Sequence, residues 1–244
     1  MKLTQSVYLV GSGHFGLSHE FDSSVYVVDC GDELVMIDAG AGCNPDGIVE
    51  NVTKDGLDPS RLSRIFLTHF HADHSGGAYI FQERFGCQIY GGAVEADLLE
   101  RGSHQDMLLD VAVKSGFYSP DYRFTNCKVS VRLNHNDTIR CDGLTFRALN
   151  VPGHSRGSFC FLVDLPEGRA IFTGDTVFAE GIIGMLNCEG SDLSDYRKYL
   201  NRLAGLSVDL LFPGHRVFVL SGGQSHIDQA IESVGLIQLP PNFI

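Results

Sequence analysis

Thr68-His69-Phe70-His71-Ala72-Asp73-His74-Ser75-Gly76-Gly77 is the stretch that decides how this chain is read. Three imidazoles and one carboxylate fall within the six residues from His69 to His74. Histidine is the commonest metal ligand near neutral pH, and imidazole nitrogen combined with carboxylate oxygen suits zinc, with iron and manganese as further options. The run Arg64-Ile65-Phe66-Leu67 just before it is short and apolar, as a buried strand would be. Residues 76–85 carry apolar side chains at helical spacing. The cluster therefore belongs on a strand-to-helix loop. His69 and His71 are two apart and point the same way from an extended backbone, while Asp73 and His74 follow at the turn and face a second position. A polar loop with surface histidines is the alternative, but it gives no reason for this density of ligand types.

Working outward, three more strand ends repeat one device. Val151-Pro152-Gly153-His154 follows the alternating stretch 144–149, Phe172-Thr173-Gly174-Asp175-Thr176 follows 169–171, and Phe212-Pro213-Gly214-His215 follows 208–211. Each apolar run ends in a glycine and then a ligand type. Glycine and proline make the sharp turn that aims one side chain from a rigid strand end. Any one of these is more often an ordinary turn residue; four in order are poorly explained by chance.

The ordered set T-H-x-H-x-D-H, P-G-H, T-G-D-T, P-G-H resembles the metallo-β-lactamase-fold hydrolase superfamily, from Thr68 to His215 and with fitting strands before it. The resemblance implies an α/β fold, a four-layer αβ/βα sandwich of two mixed β-sheets flanked by helices. It implies a binuclear centre in which His69, His71 and His154 hold one metal, Asp73, His74 and His215 the other, and Asp175 bridges both. Two divalent ions sharing one water bring its pKa near neutrality, so a metal-bridging hydroxide attacks a carbonyl carbon. Asp73 is placed to shuttle a proton to the leaving atom and is the candidate catalytic residue.

Composition sets the frame. With 244 residues and 43% hydrophobic content, the chain can bury a full core as a single domain over 1–244. No apolar stretch approaches a membrane span, and the N-terminus lacks the h-region and cleavage site of a signal peptide. Seven scattered cysteines, an odd number without a C-x-x-C, fit a reduced cytoplasm better than a disulfide framework. A net charge of −12 argues against a nucleic-acid surface, because phosphate binding needs clustered Lys and Arg. The expected partner is a small-molecule acyl substrate; a homodimer is compatible with the sequence but not readable from it.

The remaining pattern predicts a hairpin from 24–30 and 33–38, helices near 47–54, 93–101, 194–203 and 224–234, and strands near 128–133, 144–149 and 158–163. Gly11-Ser12-Gly13-His14-Phe15-Gly16 matches a dinucleotide fingerprint literally, but β-rich sequence follows where that site requires a helix. The better reading is a loop at the mouth of the metal site, with His14 and His19 near substrate. Residues 102–127 read as a lid insert, in which Tyr118 and Tyr122 are candidate oxyanion donors. Arg156, just after His154, is a candidate for a substrate carboxylate.

Within the superfamily, the zinc β-lactamases place a Cys where Asp175 stands, which disfavours antibiotic hydrolysis. Residues 173–178 closely match a segment of glyoxalase II, although only 29 residues follow His215 and a basic residue expected beside Cys188 is absent. Lactonase-like members share the seven ligands. The expectation is a binuclear hydrolase of a small ester, thioester or lactone, carrying two divalent ions, most often Zn2+, with Fe or Mn as options. The alternatives are a mononuclear iron oxygenase resembling persulfide dioxygenases, and a non-catalytic metal-binding protein.

Overall fold

The hairpin expected near the N-terminus is two strands of five and four residues, Val25–Asp29 (β2) and Leu34–Ile37 (β3), paired antiparallel with Tyr26 opposite Ile37. The computed structural model describes residues 1–243, and the chain divides into two compact units, Met1–Arg132 and Leu133–Ile244.

In the first unit, β1 (Val7–Gly11) pairs antiparallel with β2, and β3 runs parallel to β4 (Leu62–Phe66), which runs parallel to β5 (Gln88–Gly92); β6 (Val129–Leu133) closes the order β1-β2-β3-β4-β5-β6. Parallel neighbours need a crossover, and helix α1 (Pro45–Lys54) supplies the one from β3 to β4. It starts where Asn44 accepts a hydrogen bond from the Gly47 N–H at 3.1 Å, with Pro45 in its first turn. Ile48 and Val52, four apart, bury one face of it. That face joins a core with Val10, Val25, Met36, Ile65, Phe81 and Ile89. After β4 the chain forms the short helix α2 (Ala72–Ser75), then α3 (Ala78–Phe85), ended by Gly86 in the left-handed region at φ 71°. Helices α4 (Ala96–Arg101) and α5 (Leu109–Lys114) lead to β6.

The second unit holds the sheet β11-β10-β9-β8-β7, built from β7 (Asp137–Cys141), β8 (Leu144–Asn150), β9 (Phe159–Leu165), β10 (Gly168–Gly174) and β11 (Leu210–Pro213). It is antiparallel except for the β10–β11 pair. Helices α6 (Leu193–Tyr199) and α7 (Gly223–Gly235) pack Tyr196, Ile227, Ala230 and Val234 into a core with Leu149, Ile171 and Leu211. Both sheets are therefore mixed and flanked by helices, as expected from the sequence.

Two strands escaped the sequence reading. β5 contains Gly91-Gly92, which weakens a strand signal. β7 lies at a sheet edge and turns only Ile139 and Cys141 inward. Its partner β8 follows through Asp142-Gly143, with Asp142 at φ 44°. That dipeptide is a hairpin signal by itself. The glycine-rich segment after β1 forms turns and no helix.

Candidate metal centre

In the first unit, the backbone leaves the sheet after β4 and places the four clustered ligands around α2. His69 turns Nε2 to within 3.0 Å of His71 Nδ1. The His69 and His74 rings lie 4.1 Å apart, and His74 Nε2 is 3.5 Å from Asp73 Oδ2. The loop is fixed from outside: the Ser75 hydroxyl bonds the carbonyls of Phe70 and His71 at 2.8 and 3.0 Å, and buried Glu95 accepts the Phe70 N–H at 3.1 Å.

Beneath these ligands lies Asp38, at the end of β3, fully buried and held in the left-handed region at φ 58°. Its carboxylate accepts from the Thr68 N–H at 2.8 Å, the Thr68 hydroxyl at 2.8 Å and His74 Nδ1 at 2.8 Å. Because the Thr68 proton goes to Asp38, Thr68 Oγ1 is left to accept from His69 Nδ1, 3.0 Å away. One carboxylate thus sets the tautomers of two histidines, so that in each ring the unprotonated nitrogen is Nε2. Outer carboxylates commonly tune metal-ligating histidines in this way. The sequence reading placed Asp38 only at the end of the second hairpin strand, although Ile37-Asp38-Ala39-Gly40 also ends an apolar strand in a ligand type near a glycine.

The second unit assembles the other three. His154 Nε2 and His215 Nε2 stand 3.6 and 3.5 Å from the same Asp175 oxygen. His154 Nδ1 donates to the Gly184 carbonyl, which turns Nε2 toward Asp175. Gly153, at φ 151°, lies so close to Tyr196 that an added Cβ would sit 2.5 Å from the ring. Buried Tyr196 in turn donates to the Asp175 carbonyl at 3.3 Å. Its phenol is pushed well above the usual range, first by burial and then by the Asp175 charge. The His215 ring stacks on Phe243 at 5.2 Å.

The first unit thus gathers the candidates His69, His71, Asp73 and His74, and the second gathers His154, Asp175 and His215. Two nitrogen–carboxylate sets with lone pairs directed by outer hydrogen bonds fit a divalent cation of the zinc, iron or manganese type.

The substrate candidates fare differently. Tyr118 carries its hydroxyl to Asp73, donating to Oδ1 and accepting from the backbone N–H, both at 3.0 Å. Tyr122 donates to the Ala41 carbonyl at 2.8 Å. Both tyrosines anchor the 102–127 segment, whose Met107, Leu109, Tyr122 and Cys127 are buried in the core. His19 accepts from the Phe21 N–H at 3.2 Å, and His14 meets Phe15 edge-on. Arg156 is exposed and pairs with Glu189 at 2.8 Å.

A family model described as the metallo-beta-lactamase superfamily matches residues 20–215. Among curated proteins, the chain is 28% identical over 232 residues to an atrochrysone carboxyl ACP thioesterase of Aspergillus fumigatus, covering 94% of this chain and 62% of that protein. It is 28% identical over 199 residues to the thioesterase pkgB of Emericella nidulans, covering 82% and 47%. The chain thus spans about half to six-tenths of the length of these relatives. Among solved structures, a metallo-beta-lactamase from Cronobacter sakazakii superposes with a TM-score of 0.73 at 19% identity over 96% of this chain and 94% of that one. A subclass B3 metallo-beta-lactamase of Bradyrhizobium japonicum does so with a TM-score of 0.73 at 21% identity over 95% and 89%. With its fold, its ordered ligands and a family match over most of its length, the chain belongs to the metallo-beta-lactamase superfamily.

Proposed function

We propose that this chain is a binuclear, zinc-dependent hydrolase of a small acyl compound, with a thioester as the first substrate class to test. The observation that carries the reading is the intact ligand series His69, His71, Asp73, His74, His154, Asp175 and His215. Family membership and the thioesterase names of two relatives support it. His69, His71 and His154 would hold one ion, Asp73, His74 and His215 the other, and Asp175 both. Such ions supply a neutral-pH hydroxide and polarise the carbonyl of an ester, thioester or lactone.

The chain's own residues supply the rest. Asp38 and Gly184 keep the imidazole lone pairs directed at the ligand positions. Asp73 Oδ2, turned toward His74, would receive a proton from the attacking water and pass it to the leaving sulfur or oxygen. The scattered, odd set of cysteines supports a reducing, cytoplasmic setting.

The test is elemental analysis of protein purified without chelator, followed by a screen of thioesters, esters and lactones. About two zinc ions per chain with hydrolysis is the expected result. His71→Ala and Asp175→Ala should lose metal and activity together, the latter by roughly two orders of magnitude or more, the scale of losing a principal electrostatic contribution to catalysis. One iron per chain, with oxygen consumption on a persulfide-like thiol, would overturn the hydrolase reading in favour of the oxygenase.

A further inference from the structure

We infer that Tyr118 is a positioning residue for the Asp73 carboxylate, dividing its two oxygens between separate tasks, and not a donor to substrate. The inference rests on the proposed metal centre, but its evidence lies wholly in the first unit. Asp73 Oδ1 accepts the Tyr118 hydroxyl at 3.0 Å, while Oδ2 faces His74 Nε2 at 3.5 Å. The same phenol oxygen accepts the Asp73 backbone N–H at 3.0 Å. One hydroxyl therefore grips both the backbone and the side chain of Asp73, which fixes the carboxylate rotamer as well as its place on α2. With its single proton given to Oδ1, Tyr118 has none left for a substrate oxygen.

The phenol is itself held rigidly. Its ring stacks on Tyr122 at 4.7 Å with planes 18° apart, and meets Phe21 edge-on at 5.5 Å. The hydroxyl is thus presented from a stack of aromatic rings and not from a mobile loop tip, as positioning a ligand requires. Asp73 lies within the ligand cluster, whereas Tyr118 comes from the 102–127 segment. The folding of that segment is thereby coupled to the geometry of a candidate metal ligand. Outer-shell partners of this kind typically contribute about 10–100-fold to metal affinity.

The test uses full-length protein stripped of metal and titrated with cobalt(II), whose visible absorption reports ligand geometry. In wild type two equivalents are expected to bind. Tyr118→Phe keeps the ring stack and removes only the hydroxyl. It should weaken one of the two equivalents by about tenfold or more and change its visible spectrum, leaving the other unchanged. Tyr122→Phe, which removes the neighbouring hydroxyl without touching Asp73, should leave both equivalents and the spectrum as in wild type. If Tyr118→Phe binds both equivalents with wild-type affinity and spectrum, the inference is overturned, and a fall confined to kcat would return Tyr118 to the role of oxyanion donor. If both variants shift the spectrum alike, the effect belongs to segment packing and the inference also falls. A wild type that binds no cobalt would sink the metal-centre reading itself, a result separable from either outcome.

Discussion

Asp38 shows how much chemistry a single side chain can organise. It is buried and accepts three hydrogen bonds from Thr68 and His74. Replacing it with Asn would put an amide N–H against a donor, either the Thr68 hydroxyl or His74 Nδ1. The expected cost of Asp38→Asn is roughly 1–3 kcal/mol of stability, the usual penalty for an unmatched buried polar group. Metal affinity should fall by about 10–100-fold, because two histidine tautomers lose their common anchor. Urea denaturation and metal titration of the same preparation check both; a variant with unchanged metal affinity would remove Asp38 from the centre. The candidate ligands were legible in the sequence because each sits at a fixed offset from a glycine or in one dense cluster. Asp38 was not, since it precedes its glycine, Gly40, by two residues where the other strand-end ligands directly follow theirs; its partners lie 30 and 36 residues away.

At the scale of elements, the loop from β4 to α3 works only if two backbone segments approach closely. Gly77 donates its N–H to the Gly40 carbonyl at 2.9 Å, and a Cβ on Gly77 would sit 2.1 Å from the Ala39 carbonyl oxygen. Gly77→Ala should therefore cost about 1–3 kcal/mol, the range for overpacking a site that cannot give way. Its φ is −80°, so contact, not backbone strain, is the cause. Gly235→Ala is the matched control, for nothing lies within 4 Å of its added Cβ. It should be neutral or stabilise the last turn of α7 by up to about 1 kcal/mol. Denaturant midpoints of the two variants check the pair; equal midpoints would refute the close-approach argument. Element types were readable wherever apolar periodicity was strong, as in α1, α7 and the β2–β3 hairpin. Edge strand β7, with two inward residues, is decided by its pairing with β8.

For the whole molecule, a ligand that binds only the folded chain stabilises it by mass action. With free metal at about a hundred times its Kd, that contribution is about 2.7 kcal/mol, and for a chain of this size its removal should lower Tm by roughly 5–10 °C. Thermal melts before and after chelator treatment, with zinc added back, measure it. An unchanged Tm would mean that the histidine and carboxylate clusters hold no metal in the folded protein. No helix among the described residues is long and apolar enough to cross a membrane. The sequence by itself determined the fold class and singled out the candidate ligands, because strand periodicity and the glycines that end strands are local properties of the chain. Only the tertiary structure decided which groups stand behind those ligands: Asp38 behind His69 and His74, the Gly184 carbonyl behind His154, and Tyr118 on Asp73. The physical reason is that a hydrogen bond is settled by distance in space, and these partners are brought within about 3 Å by packing that no local pattern encodes.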